Sequence, residues 1–216
     1  MKNILAALCL AILTASAAFA QTDDYKKAEF YVGYSHQRVD NGIGDDDDLG
    51  DFIKDRQGFN GFEAAAVYNV SRYFGIKGDI SGAYNSTSYS FDIPTGPTTS
   101  GRLSFDTKNS VYNFLGGVQV KDNSTETRFK PFAHALVGAG HVRSKISNSV
   151  CPTGADCSFL NGSAGETGFA GAFGGGLDIK INNKIDFRAI QVDYNPIRID
   201  GQTYNNVRFG VGVVFK

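Results

Sequence analysis

Apolar and polar side chains alternate one by one in eight segments of this chain, and no segment repeats with helical spacing. In a strand successive side chains point to opposite faces, so each run predicts a strand with one apolar face. The first, Ala28 to Asp40, sets Ala28, Phe30, Val32 and Tyr34 against Glu29, Tyr31, Gly33 and Ser35. The second, Phe59 to Val70, sets Phe62, Ala64, Ala66 and Tyr68 against Glu63 and Asn69. The third starts at Phe74, where Phe74, Ile76 and Ile80 oppose Lys77, Asp79 and Ser81. The fourth, Asn109 to Lys121, opposes Tyr112, Phe114, Val118 and Val120 to Asn113, Gln119 and Lys121. The fifth, Phe129 to Ser147, is ambiguous in phase, because Lys130, Phe132, His134 and Leu136 share one face. The sixth opposes Phe169, Phe173, Leu177 and Ile179 to Gly174, Gly176, Asp178 and Lys180. The seventh, Ile185 to Ile199, changes phase between Phe187 and Ile190, which predicts a β-bulge near Ala189. The eighth, Asn206 to Lys216, opposes Val207, Phe209, Val211, Val213 and Phe215 to Arg208, Gly210 and Gly212.

The connections alternate as well. Residues 41–58, 93–108 and 148–166 read as long loops; 71–73, 122–128 and 182–184 are short, and 201–205 is modest. Long and short loops in turn give an up-and-down β chain two unlike ends, with both termini at the short-turn end. A three-residue loop at Asn182-Asn183-Lys184, with an Asn in the left-handed conformation, places Ile181 opposite Ile185. Lys180 then falls opposite Asp186, and Asp178 opposite Arg188, giving two opposite-charge pairs on one face.

Composition narrows the setting. Met1-Lys2-Asn3, the apolar run to Ala18 and the small residues of Ala18-Phe19-Ala20 predict a cleaved signal peptide over residues 1–20. The expected mature domain is 21–216, in which 20 basic side chains face 22 acidic ones. That balance offers nothing to nucleic acid. After Ala20 no apolar run is long enough for a membrane-crossing helix. With Gly 26, Phe 17 and Tyr 10 against Pro 5 and Trp 0, the chain reads as all-β.

The second face of each strand decides the architecture. It carries Glu63, Lys77, Asp79, His134, Asp178, Lys180, Asp186, Arg188, Asp193 and Arg208 among glycines, rather than a mixed solvated surface. The interior of an eight-stranded barrel is just wide enough for side chains, so charges packed beside glycines suit it. The apolar face then meets lipid, and closure leaves no unpaired edge in hydrocarbon. The expected fold is an eight-stranded antiparallel up-and-down transmembrane β-barrel, with those ten residues as a lumenal polar network.

The chain resembles the small outer-membrane β-barrels of Gram-negative bacteria, the OmpA-like transmembrane domain family, over Ala28 to Lys216. Its end, Arg208-Phe209-Gly210-Val211-Gly212-Val213-Val214-Phe215, is similar to the last-strand signal of that family. The resemblance implies residence in the bacterial outer membrane, contact with its lipid, and delivery through the insertion machinery by Arg208, Gly210, Val213 and Phe215. Lys216 beyond the terminal Phe215 and the lack of Trp depart from the family pattern.

Candidate chemistry is sparse. The residues after His36, His134 and His141 do not give the His-x-Ser-Asn pattern of lipid A deacylases in such barrels. Asp45 to Asp48, with Asp51, could hold a cation through carboxylate oxygens but lack the spaced ligands of a calcium loop. Cys151 and Cys157 are the only cysteines of the mature chain, and in an oxidising compartment they predict a disulfide. Gly174-Gly175-Gly176 lies mid-strand with no helix or Lys to follow, so it is no phosphate loop. No cofactor or metal is called for. The expected role is non-enzymatic: a structural barrel, or a binder of an extracellular ligand through its long loops. The alternatives are a lipid-modifying enzyme on the same barrel and a soluble secreted β-barrel or sandwich that binds a partner.

Overall fold

Two-residue periodicity commits each segment to a strand, and an amphipathic sheet of this length hides its polar face by closing on itself. The computed structural model describes residues 25–40, 56–94, 100–152 and 162–216. Its strands are β1 (Ala28–Val39), β2 (Gln57–Asn69), β3 (Phe74–Pro94), β4 (Ser100–Lys121), β5 (Phe129–Val150), β6 (Gly162–Lys180), β7 (Ile185–Ile199) and β8 (Gln202–Phe215). Each pairs antiparallel with the next, and β8 returns to β1 through pairs such as Phe30 with Phe215, so the barrel is closed. Residues 1–20, expected to be a signal peptide, and the Asp45 to Asp48 run lie outside the described residues.

The apolar face points outward. Ile76, Phe114 and Ile190 are each more than half exposed, whereas Glu63, Asp178, Asp193 and Arg208 are completely buried. The ambiguous fifth segment settles with Lys130, Phe132, His134 and Leu136 all inside. Its phase could not be read because that inner face carries a Phe and a Leu beside its charges.

Several loops are shorter than their composition suggests. Residues 93–108 are mostly strand: β3 and β4 pair without interruption from Pro94 with Ser100 down to Phe74 with Val120. Residues 148–166 likewise yield their two ends to β5 and β6. Residues 202–205 belong to β8, because the turn is only Asp200-Gly201, both with positive φ (51° and 84°), joining Ile199 to Gln202. Asp-Gly is the usual sequence of a two-residue hairpin turn with both residues left-handed. Serine-, threonine- and asparagine-rich stretches read as loops, yet they extend these hairpins where both faces are free of lipid.

The turn at 182–184 gives the expected register, Lys180 with Asp186 and Asp178 with Arg188. Its mechanism differs from the left-handed Asn expected. The Asn182 side-chain oxygen accepts from the backbone N–H groups of Lys184 (2.8 Å) and Ile185 (2.9 Å). On β7, Asp178 pairs with Arg188 but Leu177 with Ile190, so Ala189 is the extra residue of a bulge. That insertion lets Arg188 and Gln191 both point inside.

Candidate functional site

The inner faces of all eight strands converge on a bore with two compositions. Toward the long-connection end lies an apolar cluster that includes Phe59, Val111, Leu115, Leu136 and Ile197. The rest is charged. Six cations, Lys77, Lys121, Lys130, Arg188, Arg208 and Lys216, face six carboxylates: Glu29, Glu63, Asp79, Asp178, Asp186 and Asp193.

Near the short-turn end, the Arg188 guanidinium forms a two-pronged bond to Asp178, with Nε to Oδ1 at 2.8 Å and Nη2 to Oδ2 at 3.1 Å. It lies 4.1 Å from the ring centres of both Tyr31 and Phe132. Glycines make room for these rings. A Cβ on Gly212 would sit 2.9 Å from the Tyr31 ring, and one on Gly176 would sit 2.9 Å from Phe132 Cζ. Lys121 donates to Glu29 and, at 3.2 Å, to Asp178. Asp186 is held by Lys216 at 2.5 Å and Lys130 at 3.6 Å.

The next layer centres on Arg208, which donates twice to Asp193 Oδ2 (2.9 and 2.7 Å) and once to Asp79 Oδ1 (2.8 Å). Lys77 lies 3.6 Å from Asp79 and 3.8 Å from Glu63. His134 Nε2 sits 2.9 Å from Asp193 Oδ1. Gln191 joins the layers: its oxygen accepts from Arg188 at 2.7 Å, and its nitrogen donates to Glu63 at 2.8 Å and Asp193 at 2.7 Å. Charges this deeply buried persist only when paired, and here each guanidinium is satisfied from several strands.

Nine of the ten residues expected in the lumen lie in this network. Lys180 does not. It sits half-buried at the rim and donates to the Thr125 carbonyl at 2.5 Å, while Lys130 and Lys216 take its partner-to-be, Asp186. Facing residues across a hairpin does not guarantee an ion pair when longer-range cations reach the same carboxylate. Glu29, Lys121, Lys130, Gln191 and Lys216 belong to the network without being among those ten. Lys121 alternates on the polar face, so period two alone would have found it, whereas Lys216 reads as an overhang beyond the last aromatic. Of the last-strand residues, Gly210 faces inside with Arg208, and Phe215 faces out, paired with Phe30 and Ile185. Val213 shares the Phe215 face, opposite Val32 and Phe187.

The network fills space and ties the strands to one another across the bore. His134 is flanked by Asp193 and by the Lys77 ammonium, 3.3 Å from Nδ1, with no nucleophile between them. His36 meets Asn60 and His141 meets Thr167, each at 2.8 Å on the outer wall. Among the described residues no group of His, Cys, Asp and Glu could hold a metal ion. Cys151 is disulfide-bonded, and Cys157 lies outside the described residues. At the short-turn end, Asp122 accepts from Arg72 of the neighbouring turn at 3.0 Å and from Thr127 at 3.0 Å. The Arg72 hydrogen bond, first among these contacts, holds its carboxyl below the ordinary range. At the other mouth a pocket of about 240 Å³ opens above the apolar cluster, between Val111, Val142, Ile197 and Tyr204.

The family model for the outer membrane protein beta-barrel domain matches residues 5–216. No curated protein matches the sequence. Among solved structures, Neisserial surface protein A is similar with a TM-score of 0.53 at 12% identity, covering 90% of this chain and 99% of its own. The attachment invasion locus protein Ail of Yersinia pestis, in complex with the heparin analogue sucrose octasulfate, gives a TM-score of 0.49 at 18% identity, covering 87% and 97%. The outer membrane protein OprG from Pseudomonas aeruginosa gives 0.41 at 13%, covering 89% and 97%. These likenesses are of fold.

Proposed function

Starting from the fact that the chain belongs to the outer membrane protein β-barrel domain family, we propose that it is a non-enzymatic envelope barrel, closed to solutes, whose outer strands and loops carry its contacts. The observation that carries this reading is the bore itself. Six cations and six carboxylates are buried in pairs across it, capped by an apolar cluster, and an eight-stranded barrel has no room for a water column beside them. Function then falls to the surface. β3 and β4 are 21 and 22 residues long, about twice what a tilted strand needs to cross a bilayer, so their hairpin stands well clear of the membrane.

On this reading residues 1–20 direct export and are removed, and the last strand presents Arg208, Gly210, Val213 and Phe215 to the insertion machinery. The Cys151–Cys157 disulfide ties the loop between β5 and β6 on the outside. An extracellular ligand of the loops belongs to the same proposal.

Two measurements test it. The protein should stay with membranes through carbonate and salt washing and need detergent for release. Pure folded protein in planar bilayers should show no large, steady conductance. Release without detergent would defeat the membrane placement, and porin-sized steps would defeat the closed bore.

A further inference from the structure

Among the described residues the outer wall carries a cationic patch with no ion pair to neutralise it. Tyr84 of β3 and Tyr112 of β4 pack edge to face, with ring centres 5.7 Å apart, on the outward face toward the long-connection end. Phe74, ten residues before Tyr84, marks the opposite end of the outward aromatic surface on β3. At about 3.3 Å per residue and a tilt of about 40°, that separation spans about 25 Å, the height of the apolar band of such barrels. Tyr84 and Tyr112 therefore sit at the outer interface.

Directly beyond them the same face becomes basic. Arg143 stands opposite Ser110, one pleat past Tyr112, and Lys108 and Lys145 stand opposite each other two pleats past it. Those positions lie about 5 Å and about 10 Å above the tyrosines, within reach of the headgroup layer for long flexible side chains. All three are exposed, and among the described residues none has an ion-pair partner. Their cross-strand neighbours are neutral: Ser86 beside Lys108, Ser163 beside Lys145 and Gly165 beside Arg143. Among the described residues the acid on this face, Asp106, feels the Lys108 charge but is no ion-pair partner to it: its oxygens accept from Ser88 at 2.6 Å and Asn148 at 2.7 Å. Two lysines face to face on adjacent strands repel unless an anion lies between them. A concavity of about 550 Å³ runs along this wall, lined by the two tyrosines and all three cations.

We propose that this patch binds the phosphorylated headgroup of an outer-leaflet lipid. Its acyl chains lie against Tyr84 and Tyr112, while phosphate monoesters sit among Lys108, Arg143 and Lys145. The position argues for a lipid rather than a soluble anion, because the cations rise from the lipid-facing wall and not from the barrel mouth. The inference rests on the outer-membrane placement proposed above.

The test uses the full mature barrel in phosphatidylcholine nanodiscs doped with bisphosphorylated lipid A or with its dephosphorylated form. Lipid retained through purification is counted by native mass spectrometry. Wild-type protein should retain the bisphosphorylated form selectively. Each cation replaced by Ser should weaken retention about fivefold, and K108S/R143S/K145S about a hundredfold. Equal retention of the two lipids by wild type, or unchanged retention by the triple variant, would overturn the site. Displacement of the lipid by soluble inositol hexakisphosphate at matched concentration would overturn the lipid as its occupant. R143Q alone supplies the fivefold readout if the triple variant does not refold. Heat-modifiable gel mobility in the same nanodiscs reports insertion separately. Wild type that never inserts defeats the membrane placement itself, whereas inserted wild type with no lipid preference defeats only the site.

Discussion

Replacing Arg188 with alanine tests the bore most directly. The side chain is fully buried, bound through two prongs to Asp178, bonded to Gln191 and held between two aromatic rings. Its removal leaves Asp178 with Lys121 alone, at 3.2 Å, and Lys121 also serves Glu29. Stranding one member of a buried pair costs about 3–5 kcal/mol. Losing two cation–ring contacts adds about 1–2 kcal/mol. Water entering the vacated space recovers part of this, so the net loss should be about 4 kcal/mol. Lysine at the same position keeps the charge without the two-pronged geometry and should lose about half as much. The assay is urea unfolding of the lipid-reconstituted barrel, followed by far-ultraviolet circular dichroism because the chain has no Trp. A cycle with Asp178→Ala should give a coupling of about 2–3 kcal/mol. If Arg188→Ala stays within about 1 kcal/mol of wild type, the charges are screened by lumenal water and the closed-bore argument fails.

Three further outcomes are expected. Gly176→Val should destabilise the barrel by about 2–3 kcal/mol, because the new side chain meets the Ile190 backbone carbonyl first and then the Phe132 ring that backs Arg188; an unchanged unfolding midpoint would show that both the β7 backbone and the ring can give way. Non-reduced protein from envelopes should resist thiol alkylation at both Cys151 and Cys157, and a bond closing so short a loop should contribute about 2–3 kcal/mol locally; labelling of either thiol counts against it. Asp122, whose carboxyl is depressed by Arg72, stabilises the short-turn end above the ordinary carboxylate pKa of about 4. That contribution should fade as pH falls below about 4, through its lowered folded value, seen as faster amide exchange at residues 122–127; Asp122→Asn should remove the dependence.

The strand pattern was legible because lipid outside and charge inside impose opposite demands on alternate residues. Where both demands hold, as in β7, even the bulge at Ala189 shows in the sequence. The pattern fades beyond the interface, where both faces meet water: Ser86, Ser88 and Ser90 belong to β3 as firmly as Ile76 does. The Asp200-Gly201 turn carried its own signal, which a reading by loop length passed over. Cross-strand ion pairs within one hairpin followed from counting, as for Asp178 and Arg188. Contacts across the bore, such as Arg208 with Asp79 and Lys121 with Glu29, depend on barrel shear and side-chain reach, which no local count supplies.

The bulge in β7 makes the strand a matter of parity. Ala189 switches which positions face inward, so Asp186 and Arg188 point inside on even numbers, and Gln191, Asp193 and Asn195 point inside on odd ones. The two halves are anchored independently, one by the Asn182 turn and the other by the Asp200-Gly201 turn. Losing one residue on either side of Ala189, with the bulge kept, turns one half of the strand inside out and presents carboxylates or a guanidinium to lipid. Ala189 itself is the exception: as the extra residue, its loss closes the bulge, leaves Arg188 and Gln191 both inside with Ile190 alone between them, and restores plain alternation along β7.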